Sequence, residues 1–230
     1  MLGTKQWIWP HVCCFCGSES KTERDLCEVC LHTLSWASLR CYICGLRLQK
    51  TLEHIICEKC DLQKPNFDRL CSVFSYDDPV IKLVRGLKFG RQLAFGKILG
   101  DFLADKIIEW YRNDNLPEAL IPMPLYVSRL RKRGYNQALE LTRPIIKKYK
   151  IPLLNACIRS RATLPQSGLN ANARRKNTAN AFKIIKNLYQ TEHVAIVDDV
   201  VTTGSTVNAL SKSLKNAGVS RVDVWCICRA

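Results

Sequence analysis

The chain has 230 residues, 47% of them hydrophobic, which is enough for a packed core and excludes global disorder. No apolar run approaches the roughly 20 residues that span a bilayer, and the opening MLGTKQWIWPHVCC lacks the basic region and long apolar stretch of a signal peptide, so a cytoplasmic protein without membrane insertion is expected. The formal charge of +15 sits almost entirely in one segment: Arg129 to Lys186 holds 15 Lys and Arg against a single acid, Glu140. Such a concentration points to an anionic partner, whether phosphate, pyrophosphate or nucleic acid, with a solvated basic face as the plainer alternative.

Nine of the 13 cysteines precede residue 61. Eight of them form four CxxC pairs, Cys13/Cys16, Cys27/Cys30, Cys41/Cys44 and Cys57/Cys60, separated by 10, 10 and 12 residues. Two intervening residues let both thiolates of a tight turn reach one ion, and tetrahedral zinc needs two such turns, so the spacing predicts two structural zinc ions. Glycine follows the first and third pairs (CFCG, CYICG), where a residue free to take positive φ is useful. Sequential sites (Cys13, Cys16, Cys27, Cys30 and Cys41, Cys44, Cys57, Cys60) are favoured over a cross-braced pairing of the first pair with the third. Cys14, His11, His32 and His54 are expected to stand beside these sites rather than in them. So short a segment has little core, so metal should supply much of its folding free energy. The predicted organisation is a cysteine-rich zinc-ribbon domain at 1–64 and an α/β domain at 65–230.

From Lys64-Pro65 onward, short apolar runs alternate with helical patterns. A strand is predicted at Cys71–Tyr76, a short basic-faced helix at Pro79–Phe89, and a helix through Phe95, Ile98, Leu99, Phe102 and Leu103 reaching Tyr111. A short strand follows at Glu118–Pro124, and a long helix begins after Val127. Val194–Val200 reads as a buried strand, Ser205–Asn216 as a helix closed by Gly218, and Val222–Arg229 as a final strand. Alternation of this kind implies an α/β domain with a mostly parallel sheet, whose ligand sits at the C-terminal ends of the strands.

The stretch VAIVDDVVTTGSTV (Val194–Val207) sets two acids, Asp198 and Asp199, near the end of that strand and a turn, Thr202, Thr203, Gly204, Ser205 and Thr206, before the helix. Amides at a helix N-terminus bind phosphate, small residues let it approach, and hydroxyls add donors. The acids suit sugar hydroxyls or a magnesium shell instead. A phosphate and a diol held side by side describe a ribose 5-phosphate.

That stretch resembles the fingerprint of type I phosphoribosyltransferases, which bind 5-phosphoribosyl 1-pyrophosphate (PRPP) with Mg2+. The resemblance implies that Asp198 and Asp199 hold the ribose hydroxyls and that Thr202, Thr203, Gly204, Ser205 and Thr206 grip the 5-phosphate. Across nearly the whole chain the sequence resembles the competence protein F family of DNA-uptake proteins. The four CxxC pairs match its zinc ribbon, LVRGLKFGR (Leu83–Arg91) its LKF signature, and IPMPLYVSRLRKRGYNQA (Ile121–Ala138) its proline-flanked pyrophosphate loop. TLPQSGLNANARRKN (Thr163–Asn177) matches a further polar segment. The fold implied is a type I phosphoribosyltransferase-like, mostly parallel sheet flanked by helices and preceded by a small zinc-ribbon domain.

By the same resemblance, the loop around Pro122 and Pro124 contacts pyrophosphate, and a cis peptide bond is compatible with it. Arg129, Arg131, Arg133 and Asn136 are candidates for phosphate oxygens, since clustered arginines give bidentate pairing. Gln166, Arg174, Arg175 and Asn177 resemble the segment that closes over PRPP. One PRPP does not need so much positive charge, and single-stranded DNA would use the surplus, with Tyr126, Tyr135 and Tyr149 as possible stacking platforms. The expected role is in natural transformation, alongside other DNA-uptake or recombination-mediator proteins. The alternative is an active transferase moving ribose 5-phosphate from PRPP to a nucleobase or other acceptor.

Overall fold

A computed structural model describes residues 11–22, 24–48, 55–160 and 181–230. The backbone divides into two units, Met1–Leu34 and Ser35–Ala230. In the first, β1 (His11–Val12) pairs antiparallel with β2 (Glu19–Ser20), and α1 (Glu28–His32) follows. The bend between the strands is a knuckle in which the Cys13 amide donates to Ser18 O and the Gly17 amide to Cys13 O. Gly17, at φ +73, and its counterpart Gly45, at φ +67, take the left-handed conformation their positions after CxxC pairs suggested.

The second unit contains the other cysteine knuckle and α2 (Glu58–Leu62), then a layered α/β structure. Its elements are β3 (Arg69–Ser75), α3 (Val80–Phe89), α4 (Leu93–Trp110), β4 (Ala119–Pro122), α5 (Val127–Arg133) and α6 (Gln137–Tyr149). A small hairpin of β5 (Cys157–Arg159) and β6 (Phe182–Ile184) precedes β7 (His193–Val201), α7 (Ser205–Asn216) and β8 (Arg221–Arg229). The main sheet has the order β3-β8-β7-β4 and every pairing in it is parallel.

Hydrophobic burial positions the sheet. Val194 to Val197 of β7 are fully buried, as are Val222, Val224 and Trp225 to Cys228 of β8, which is why these two strands read as continuous apolar runs. Ile98, Leu99, Phe102, Leu103 and Ile107 line the buried side of α4. Each such aliphatic side chain contributes about 1.5–3 kcal/mol relative to exposure. Cys41, Cys44 and Cys60 belong to one buried cluster with Leu70, Val224, Cys226, Val207, Leu210 and Leu214. The second cysteine group is therefore packed into the same core as the sheet.

Two features differ from the sequence reading. The helix expected after Val127 is two helices, because Gly134 takes φ +87 and Asn136 starts a new N-terminus by accepting a hydrogen bond from the Ala138 amide at 3.0 Å. The β5–β6 hairpin was not anticipated, since three-residue strands carry too little alternation to register. The peptide bonds of 121–125 are trans; Asp78–Pro79 is cis.

Candidate functional site

Parallel pairing carries β7 past its neighbour β4: Pro122 sits beside Val197, and β7 continues to Val201. Asp198 and Asp199 thus stand at the C-terminal edge of the sheet, where the β4 loop leaves. Their side chains bend back on the strand, Asp198 Oδ1 accepting from the Asp199 amide at 2.8 Å and Asp199 Oδ1 from the Val200 amide at 2.7 Å. Asp199 Oδ2 pairs with Lys88 Nζ of α3 at 3.0 Å. Burial, followed by the adjacent Asp199 charge, pushes the Asp198 carboxyl up to about 8, with Lys88 opposing the shift.

Three residues beyond Asp199, the chain leaves the sheet at exposed Thr202 and Thr203. Gly204 takes φ +77 and offers no side chain to cap α7. The Ser205 amide donates to Thr203 Oγ1 at 3.4 Å, and the cap residue itself adds no side chain, so small groups alone border the first turn, as an anion cradle requires. Thr203 Oγ1 and Ser205 Oγ lie 2.9 Å apart, so two hydroxyls border the same opening. Carboxylates, hydroxyls and helix N-terminus fall within eight consecutive residues.

Basic side chains converge from three other elements. Arg133 at the end of α5 is half-buried; burial pushes its guanidinium down, and Asp199 is the leading opposing charge. Its Nη1 is buried with no hydrogen-bond partner among the described residues, and the guanidinium lies 5.7 Å from the centre of the Phe89 ring. Arg159 of β5 is also lowered by burial and acted on by Arg129 and Asp198. Lys88, Arg133 and Arg159 thus each interact with one of the two acids, and Arg129 acts on both of these arginines. Arg131 is exposed on α5. Pro122 ends β4 and is buried; Pro124 follows, and between them the Met123 amide donates to Val197 O at 2.8 Å, tying the loop to β7. Asn136 is committed at both ends of its carboxamide, capping Ala138 and donating to Met123 O at 3.1 Å. Gln166, Arg174, Arg175 and Asn177 lie outside the described residues. Of the candidate tyrosines, Tyr135 donates to Leu87 O and Tyr149 to Ala104 O, which ties both to helix packing, and Tyr126 is half-buried.

Lys88 and Arg159 were not singled out in the sequence. Lys88 had a signal, since it is the lysine of the LKF stretch. Arg159 is a lone cation in a three-residue strand and had none.

The metal centres follow the sequential grouping. One ligand atom from each of Cys13, Cys16, Cys27 and Cys30 lies within 4.8 Å of the others, and the same holds for Cys41, Cys44, Cys57 and Cys60. Cys16 Sγ and Cys27 Sγ are 3.6 Å apart, as are Cys44 Sγ and Cys57 Sγ. Four sulfurs about 2.3 Å from a tetrahedral ion stand about 3.8 Å from one another, so both groups fit structural zinc. The Cys57 amide donates to Cys41 Sγ at 3.3 Å, support of the kind that holds a thiolate in place. Cys14 and His11 lie outside the group, His11 Nδ1 being 2.7 Å from Asp25 Oδ1.

The double zinc ribbon domain matches residues 4–61, and the phosphoribosyl transferase domain matches residues 136–230. Competence protein F of Haemophilus influenzae is 37% identical over 95% of this chain and 96% of its own length. The chain belongs to the competence protein F family. DNA utilization protein YhgH of Escherichia coli K12 is 34% identical over 89% of the chain and 90% of that protein. Competence protein ComFC of Streptococcus pneumoniae is 24% identical over 69% of the chain and 67% of that protein. As expected for this family, the fold is type I phosphoribosyltransferase-like, a parallel sheet flanked by helices, with an N-terminal double zinc ribbon. Among the described residues no helix is long and apolar enough to cross a membrane.

Proposed function

We propose that the chain binds Mg-PRPP at the C-terminal end of β7 and single-stranded DNA along its basic segment, acting in the cytoplasm during natural transformation. The observation that carries this reading is the run from Asp198 to Ser205, in which two acids are followed by a helix N-terminus bordered only by small residues, with glycine at its cap. The names of relatives, competence protein F and DNA utilization protein, support the biological setting. Other DNA-uptake or recombination-mediator proteins are the natural partners of such a role.

In this reading Asp198 and Asp199 accept hydrogen bonds from the ribose 2′- and 3′-hydroxyls, and Thr202, Thr203, Gly204, Ser205 and Thr206 hold the 5-phosphate. The buried, unpartnered Nη1 of Arg133 supports an anion close to the acid pair, and Arg129 and Arg131 add charge for the diphosphate. Mg2+, when bound, neutralises the diphosphate. Gln166, Arg174, Arg175 and Asn177 remain candidates for phosphate by the family resemblance alone. The match to the phosphoribosyl transferase domain favours a second reading, transfer of ribose 5-phosphate from PRPP to an acceptor with release of pyrophosphate.

Calorimetry with PRPP and Mg2+ tests the site. Replacing both acids (Asp198→Ala with Asp199→Ala) should weaken binding at least about 100-fold, given two hydrogen-bonded charges removed. Equal affinity in wild type and a folded double variant refutes the assignment. A pyrophosphate-release assay against bases and DNA separates transfer from binding.

A further inference from the structure

Arg229, at the end of β8, is a buried arginine whose side chain reaches two places at once. Its Nε donates to Cys44 O at 3.0 Å. Its Nη1 donates to Val201 O at 3.1 Å and also to the carbonyls of Thr202 and Ala230. Cys44 belongs to the second cysteine group, and Val201-Thr202 is where the chain leaves β7 for the Thr202–Thr206 turn. The parallel register sets Val201 beside Arg229, and the Ala230 amide donates back to Val201 O at 3.0 Å.

A second arginine ties the knuckle to the end of β3. Arg40 Nη1 donates to Gly45 O at 3.0 Å and Nη2 to Ser75 Oγ at 2.9 Å. A Cβ on Gly45 would stand 2.6 Å from Leu70 Cδ2 and 3.2 Å from Leu70 O, so only glycine allows this approach.

We infer that the second zinc centre is part of the scaffold of the phosphate turn, with Arg229 as the positioning residue that ties the Cys44 knuckle to Val201 and Thr202. The inference rests on the reading of Thr202–Thr206 as a phosphate cradle. Loss of this zinc frees the knuckle whose Cys44 carbonyl holds Arg229, so the turn loosens even though no ligand atom touches it.

The test uses the full chain as wild type, Arg229→Gln and Arg229→Lys, with zinc content, amide hydrogen exchange and Mg-PRPP calorimetry as readouts. Zinc should stay at about two per chain in all three. In Arg229→Gln the Thr202–Thr206 amides should exchange about tenfold faster, with the Ala119–Ile121 amides of β4 unchanged, and PRPP should bind about tenfold more weakly. Arg229→Lys keeps the charge but not the bridge, and falls between. Wild-type exchange in the turn of zinc-loaded Arg229→Gln overturns the inference, and so does acceleration spread evenly over β4. If the wild type fails to bind PRPP, the functional reading fails, while the exchange comparison still decides the tie. If Arg229→Gln does not fold, stripping zinc from the wild type decides it: turn exchange that stays slow after the second ion is lost overturns the proposal.

Discussion

Lys88 Nζ stands 3.0 Å from Asp199 Oδ2, so the last turn of α3 delivers a cation to the acid pair of β7. Two adjacent carboxylates at a sheet edge repel one another, and the Lys88 cation offsets part of that repulsion. Lys88→Met should therefore weaken Mg-PRPP binding about tenfold near neutral pH without changing zinc content. Calorimetry checks it; unchanged affinity would remove Lys88 from the site.

If the proposed site holds PRPP, the pH dependence of binding follows from Asp198. Burial and the neighbouring Asp199 charge raise its folded pKa to about 8. A raised carboxyl holds its proton in the folded chain over a range where the unfolded chain has released it, so the free protein loses stability as pH rises toward that value. A ribose diol is held more strongly by the ionised acceptor, through charge-assisted hydrogen bonds. Affinity should accordingly climb by up to about tenfold per pH unit below that value and level off above it. Asp198→Asn should bind weakly with a flat profile. Lys88→Met should move the midpoint upward, because Lys88 is what opposes the rise.

At the opposite end of β7 and β8, a fully buried carboxylate is held by three donors. Asp223 Oδ2 accepts from Tyr111 Oη at 2.5 Å and Arg221 Nη2 at 2.9 Å, and lies 3.0 Å from His193 Nε2. Burial pushes the Asp223 carboxyl up, but hydrogen bonds from His193, Arg221 and Tyr111 outweigh it and hold the pKa below the usual range. A depressed pKa gives stability that is complete above the unfolded value and is lost as pH falls through the folded one. Asp223→Asn should cost about 3 kcal/mol at neutral pH and flatten the acid limb of a denaturation series. An acid limb as steep as the wild type's would show that other groups carry it.

Single-stranded DNA binding should depend steeply on salt. Arg131, Lys132, Lys147, Lys150, Lys183 and Lys186 are all exposed in the basic segment. If about six phosphates are neutralised, log affinity for a single strand should fall against log salt with a slope of about −4. A flat response in fluorescence titrations would leave the charge as a solubilising face.

The parts of this protein legible in its sequence are those set by local chemistry. CxxC spacing is a property of one turn, so the eight ligands could be named. β7 and the turn after it were legible because a strand buried on both faces must be apolar throughout, and because Thr202–Thr206 can only be a turn of small residues. What escaped depended on contacts across the fold. Lys88 and Asp199 are more than a hundred residues apart, and no periodicity links them. Arg159 joins the cluster only because a short hairpin turns it inward. The break at Gly134 was hidden because the basic residues before it and the apolar residues after it both suit a helix. Arg229 looked like the tail of a strand; its hydrogen bonds to Cys44 and Thr202 connect positions that only the register of β8 against β7 brings together.

β8 occupies an inner place in the sheet, between β3 and β7, although it follows every other described strand along the chain. Arg69 of β3 waits for Asp223 of β8 as its partner. During synthesis, then, β3 and its attached cysteine knuckle emerge long before the strand that joins them to β7. β3 therefore lacks its sheet partner until β8 is made, and β8 then joins it to β7. Such long-range closure is slow. A premature stop just before Arg221 would thus remove the joint itself rather than trim a margin, and the truncated product should be a substrate for chaperones and proteases from the moment it is released.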